Sequence, residues 1–115
     1  CHQCYETTKQ VVKLLGIPEG KYSQTFQSRL AGDKWLTPYT DVEINKMPEQ
    51  GIKKLAVLTP SFVADCLETL EEIAMEANEQ FLHHGGEEFM AIPCMNDEDE
   101  WSGVVANWIK EFKKV

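Results

Sequence analysis

The sequence predicts one α/β domain built on a small parallel sheet with helices on both faces. Three observations lead there. Segments with a helical apolar period alternate with short β-rich runs along the chain, the pattern of strand–helix–strand units. One run, residues 53–59 (KKLAVLT), is nearly continuous in apolar residues, as a strand buried on both faces of a parallel sheet is. The chain has 115 residues, which suffices for one domain and not for two.

Taken in order, residues 6–15 read as a helix with apolar Val11, Val12, Leu14 and Leu15, stopped by Gly16 and Pro18. Residues 22–28 (YSQTFQS) alternate and are rich in β-formers, so they read as a strand. A loop over 29–39, punctuated by Gly32 and Pro38, leads to a short helix capped by Thr40 or Asp41 and running to about Met47. The 53–59 strand follows and breaks at Pro60 and Ser61. A long helix then spans 65–84 and ends at Gly85 and Gly86. Residues 88–93 form a third strand, and 101–113 a last helix whose terminal lysines complement its dipole. Three strands make a sheet resembling half of a doubly wound fold.

Composition narrows the function. With 43% hydrophobic and 26% charged residues the chain is globular in character. No apolar run approaches the ~18 residues of a membrane span. A formal net charge of −8 disfavours nucleic acid as a partner. The chain opens at Cys1 with neither an initiator Met nor a charged and apolar leader, and reads as a segment of a longer polypeptide. Four irregularly spaced cysteines do not suggest a disulfide framework, so a reducing compartment is expected.

The charge is unevenly spread. Residues 65–100 hold 12 acidic residues and no Lys or Arg, whereas the rest of the chain holds seven acidic and 11 basic residues. At about 100° per residue, Asp65, Glu68, Glu72, Glu76 and Glu79 share one stripe of the long helix, opposite Leu67, Leu70, Ala74, Ala77 and Phe81. A solvated face explains such a stripe. A solvated face usually mixes signs, however, because like charges four apart repel. The helix also starts after the central strand, at the edge where open α/β sheets bind ligands. A row of carboxylates there is suited to moving protons or holding a hard cation. The loop carrying Gln27, Ser28, Arg29, Trp35 and Tyr39 opens on the same edge, where Trp35 either stacks on a flat ligand or packs on a neighbouring helix. Cys1-His2-Gln3-Cys4 has C-x-x-C spacing but lacks a second matching pair. His83-His84 reads as the polar last turn of a helix, and residues 96–100 (NDEDE) as a solvated loop supplying N-terminal charge to the last helix.

Residues 26–29 (FQSR), 35–41 (WLTPYTD), 64–73 (ADCLETLEEI) and 92–96 (IPCMN) resemble the C-terminal half of bacterial ferrochelatases, and the likeness runs from about Tyr5 to Ile109. The resemblance implies a Rossmann-like, chelatase-type domain over 1–115, one of two similar halves enclosing a porphyrin cleft. It implies insertion of ferrous iron into a free-base porphyrin, protoporphyrin IX, to make haem. Glu68 falls on the essential carboxylate, which meets the metal together with a His from the N-terminal half; His2, His83 and His84 do not match that His. Asp65, Glu72 and Glu76 fall on the acidic proton or metal relay, on a helix with a π-type irregularity. Gln27, Ser28 and Trp35 fall near the porphyrin. Position 66 is Cys, where many members carry His.

The expected substrates are therefore porphyrin and Fe²⁺, with no cofactor required. A [2Fe–2S] cluster, present in some members, finds no matching ligand set in Cys1, Cys4, Cys66 and Cys94. The expected location is the cytoplasm, with any membrane association peripheral. The isolated chain is expected to be inactive. Mutual repulsion among the crowded acids is expected to raise some of their pKa values. The competing reading is a non-catalytic acidic α/β module that binds a basic protein or cations.

Overall fold

The structure, a computed structural model, describes residues 2–28 and 34–113. Cys1, Arg29 and Gly32 lie outside the described residues. Helix α1 (His2–Leu15) begins earlier than its apolar pattern suggests. Thr7 and Thr8 sit inside it and turn their hydroxyls back onto the carbonyls of Gln3 and Cys4, at 3.0 and 3.1 Å. The helix closes as expected at Gly16, whose φ of +64° lets Gly16 N–H and Ile17 N–H donate to the carbonyls of Lys13 and Val12.

The strand expected at 22–28 reduces to one parallel bridge, Phe26 to Tyr39. Phe26 N–H donates to Pro38 O at 2.9 Å and Thr40 N–H to Phe26 O at 3.1 Å. The ladder stops there because Pro38 has no N–H to give and helix α2 (Thr40–Lys46) starts immediately after the bridge. A hydroxyl bond between Thr40 and Thr25, 2.9 Å, adds to the attachment.

Strands β1 (Lys54–Val57) and β2 (Glu88–Ala91) pair in parallel, Lys54 opposite Glu88 and Val57 opposite Ala91. The class and the parallel pairing are as expected. Burial is not: it alternates along both strands, with Leu55, Val57, Phe89 and Ala91 half-buried and Ala56 and Met90 exposed. The covered face lies under the long helix that follows β1.

That helix departs from α geometry. Residues Glu68–Ala77 form a π-helical segment that runs directly into α3 (Asn78–His83). In π winding each N–H reaches back five residues, so a residue four further on falls just short of a full turn instead of just past it. The buried line is accordingly Thr69, Ile73 and Phe81, with half-buried Ala77 in register between the last two. The stripe expected from an α period is displaced, leaving Leu67 and Leu70 exposed. Ile73 and Phe81 join Ile44 of α2 to form the core. Fully burying each such side chain is worth about 1.5–3 kcal/mol. Phe81 also packs on Phe89 of β2, their centroids 5.8 Å apart. Gly86 makes this possible, since a Cβ there would lie 2.2 Å from the Phe81 ring. The last helix, α4 (Asp99–Phe112), buries none of its described residues.

Candidate active site

The π segment presents its first residues above the C-terminal ends of β1 and β2. After Val57 the chain loops through residues 58–67 and enters the helix at Glu68. The entry is held by a network of side chains. Asn96, on the loop after β2, donates its amide to Asp65 Oδ2 at 2.7 Å and accepts Asp65 N–H on Oδ1 at 2.8 Å. Its own N–H reaches Val63 O at 3.0 Å. Asp65 Oδ1 accepts the Thr69 hydroxyl at 2.9 Å and, more distantly, Cys94 N–H at 3.4 Å. Thr69 Oγ1 in turn accepts Cys66 N–H at 2.9 Å, so this buried threonine closes the first turn.

Glu68 is half-buried, and Cys66 Sγ–H donates to its Oε2 at 3.0 Å. This bond and the backbone N–H of Glu68 hold the carboxyl below its ordinary value. Asp65 is also lowered, first by Asn96 and then by Thr69. The expected upward shift from crowding does not occur at these two acids, because bonds donated to the charged form prevail. Burial raises the Cys94 thiol, which lies 3.7 Å from Thr59 Oγ1.

Further along, the same helix borders a cavity of about 490 Å³ between the π segment and α2. Glu71, Glu72 and Glu76 line it from the helix, and Gln27, Ser28 and Asp41 from the other side. Gln27 ties the two walls together: its Nε2 donates to Glu68 O at 2.9 Å and to Glu72 Oε2 at 3.3 Å. Gln27 O accepts the Trp35 indole N–H at 2.8 Å, and the indole stays 42% exposed. Ser28 adopts a left-handed φ of +61° at the cavity rim.

The structure therefore gathers Gln27, Ser28, Glu72 and Glu76 around one cavity, with Trp35 attached through Gln27. It puts Asp65 elsewhere, against a second cavity of about 200 Å³ with Thr69 between the helix and the strands. Glu68 stands at the helix entry and lines neither of these two cavities. Cys4, Cys66 and Cys94 are free thiols. Among the described residues no three His, Cys, Asp or Glu side chains come together as a metal-binding group. His84 Nδ1 lies 2.7 Å from Gln80 O in the last turn of the helix. Sequence reasoning missed Asn96, which read as part of a solvated loop. Its φ of +47°, a conformation asparagine tolerates better than most residues, is the kind of position that a lone Asn between strand and helix signals.

A family model of ferrochelatase matches residues 1–113. The chain belongs to the ferrochelatase family. Among curated ferrochelatases, that of Nitrobacter hamburgensis is 54% identical over 103 residues, covering 90% of this chain and 30% of the relative. That of Pseudomonas putida KT2440 is 50% identical over 105 residues, covering 91% of this chain and 31% of the relative. The ferrochelatase of Pseudomonas aeruginosa LESB58 is 46% identical over 104 residues. The chain thus spans about a third of the length of the ferrochelatases it matches. No helix among the described residues is long and apolar enough to cross a membrane.

Proposed function

We propose that this chain is the C-terminal domain of a ferrochelatase and supplies the wall of the porphyrin cleft that carries the proton-accepting carboxylate, Glu68. The observation that carries the reading is the position of Glu68: an ionised, half-buried carboxylate at the mouth of the sheet, fixed by Cys66 and opening the π segment. Inserting Fe²⁺ into a free-base porphyrin releases two pyrrole protons. A carboxylate held below its usual pKa is a weak base, so it accepts a pyrrole proton most readily once the approaching cation has acidified the N–H. It is at the same time negatively charged at neutral pH and attracts the cation. Glu72 and Glu76, which line the larger cavity, then pass the proton on toward solvent. Trp35 offers an exposed ring face for the macrocycle, Ser28 lies at the cavity rim, and Gln27 holds Trp35 and Glu72 in mutual register.

In this reading the metal meets Glu68 together with a His from the N-terminal half of the protein. The proposed substrates are a porphyrin and Fe²⁺, and the proposed compartment is the cytoplasm, a reducing environment in which Cys66 stays a thiol.

The decisive variant is Glu68→Gln in a polypeptide of the relatives' full length. It keeps the side-chain shape and removes the proton acceptor. Zinc insertion followed by porphyrin fluorescence should fall about 10²- to 10⁴-fold. Wild-type turnover would refute the assignment. A porphyrin titration that leaves the Soret band unmoved in the wild-type protein would favour the non-catalytic acidic module instead.

A further inference from the structure

We propose that Asn96 is a positioning residue for metal insertion, fixing the Glu68 carboxylate from the loop after β2. The inference rests on the reading of Glu68 as the reacting carboxylate. It starts from three bonds that one side chain and its own N–H make to a single short stretch: Asn96 N–H to Val63 O, Asn96 Oδ1 to Asp65 N–H, and Asn96 Nδ2–H to Asp65 Oδ2. The amide imitates a strand partner. It satisfies both backbone and side-chain groups of Asp65, the residue just before Cys66.

The fixation passes on through contacts already described. Asp65, locked by Asn96, accepts the Thr69 hydroxyl, and Thr69 Oγ1 accepts Cys66 N–H. Cys66 then donates its thiol hydrogen to Glu68 Oε2. The backbone of residues 65–69 is thus determined from outside the helix, by a loop 31 residues away in sequence. Such an external fastening suits the start of a π segment. Winding of this kind is rare and is often found at functional sites. Asp65 belongs to this fastening. Its carboxylate oxygens are occupied by Asn96 and Thr69, and the residue lines the cavity between helix and strands, whereas Glu72 and Glu76 line the other cavity. We assign it to the clamp and not to the relay.

Asn96→Gly tests this in the full-length enzyme, since glycine keeps the left-handed backbone at φ +47° and removes only the amide. The expected result is a kcat per folded molecule lowered about 10- to 100-fold by misplacement of the reacting group, with porphyrin KM within about twofold of wild type. Asn96→Asp is the second variant. It preserves shape but places a carboxylate against Asp65, and should lose kcat at least as severely. A merely structural role would lower the melting temperature and leave kcat per folded molecule unchanged; that outcome overturns the inference, as does a loss confined to KM. The Glu68→Gln measurement separates the two claims. If Glu68→Gln is inactive while both Asn96 variants turn over normally, the clamp is wrong and the carboxylate stands. If Glu68→Gln is fully active, both fall.

Discussion

The acidic helix has a fastened head and an open tail. At the head, Asp65 and Glu68 each accept side-chain hydrogen bonds, and both are held more acidic than a free carboxyl. At the tail, Glu72 has the single amide of Gln27 at 3.3 Å, and Glu76 and Glu79 are exposed. The residue types are the same and the helix is continuous, so composition does not explain the contrast. Proximity to the strand ends does: loops after β1 and β2 converge on the head and bring Cys66, Cys94 and Asn96 within bonding distance, whereas the tail faces the cavity toward α2. Charge stripes on one helix are therefore poor guides to shared function. The ends of this stripe differ physically: the head is held still by hydrogen bonds, and the tail is open to water, the contrast on which the proposed division into reacting group and relay rests.

The largest test of the fastened head is Thr69→Val. Valine keeps the buried volume but removes the hydroxyl that joins Asp65 to Cys66 N–H, leaving that N–H without this acceptor and Asp65 Oδ1 with only the long bond from Cys94 N–H. Losing such a buried bond should cost about 1–3 kcal/mol in a denaturant melt. Part of the cost is pH-dependent with a definite sign. The folded pKa of Asp65 lies below its ordinary 3.8, so its contribution is complete above that value and is lost as pH falls through the folded pKa. The gap between wild type and Thr69→Val should narrow over that acid range. A gap that is constant with pH would detach Thr69 from Asp65.

A smaller effect is expected at Cys66. Its thiol is the principal cause of the lowered Glu68 pKa, so Cys66→Ala should let that pKa rise toward 4.5 and move the acid limb of the kcat/KM profile to higher pH. Cys66→Ser keeps a donor and should leave the limb near its wild-type position. An unmoved limb in Cys66→Ala would show that the thiol does not govern Glu68, and would make the head resemble the tail.

How much of this was legible beforehand differs by region for physical reasons. Gly16 and Gly85 announced the ends of α1 and α3, because chain reversal there needs a positive φ that few other residues adopt. The strands at 54–57 and 88–91 were visible as short apolar runs. The buried face of the long helix is not the one that an α period predicts. An α period puts Leu67 and Leu70 inside, whereas π winding buries Thr69 and Ile73, and only family resemblance hinted at that winding. The extended segment at 22–28 has strand composition, yet Pro38 and the start of α2 leave it one bridge. The acids Glu68, Glu72 and Glu76 stood out by spacing. The clamp did not, because Asn96 acts on a residue 31 positions away, and no local pattern records such a contact.

The smallest effect is expected at the far end of the proposed relay. Glu76 is exposed and borders the same cavity as Glu72. A proton that has reached this part of the helix has water within reach, and buffer or solvent can replace an exposed carboxylate. Glu76→Gln should therefore slow zinc insertion only a few-fold, with Glu72→Gln between it and Glu68→Gln because Glu72 is tied through Gln27 to the head. Added small carboxylic-acid buffers should restore Glu76→Gln more fully than Glu68→Gln, since they can reach an open site and not a fastened one. A loss at Glu76 as large as that at Glu68, unrelieved by buffer, would make the tail as indispensable as the head and dissolve the distinction between them.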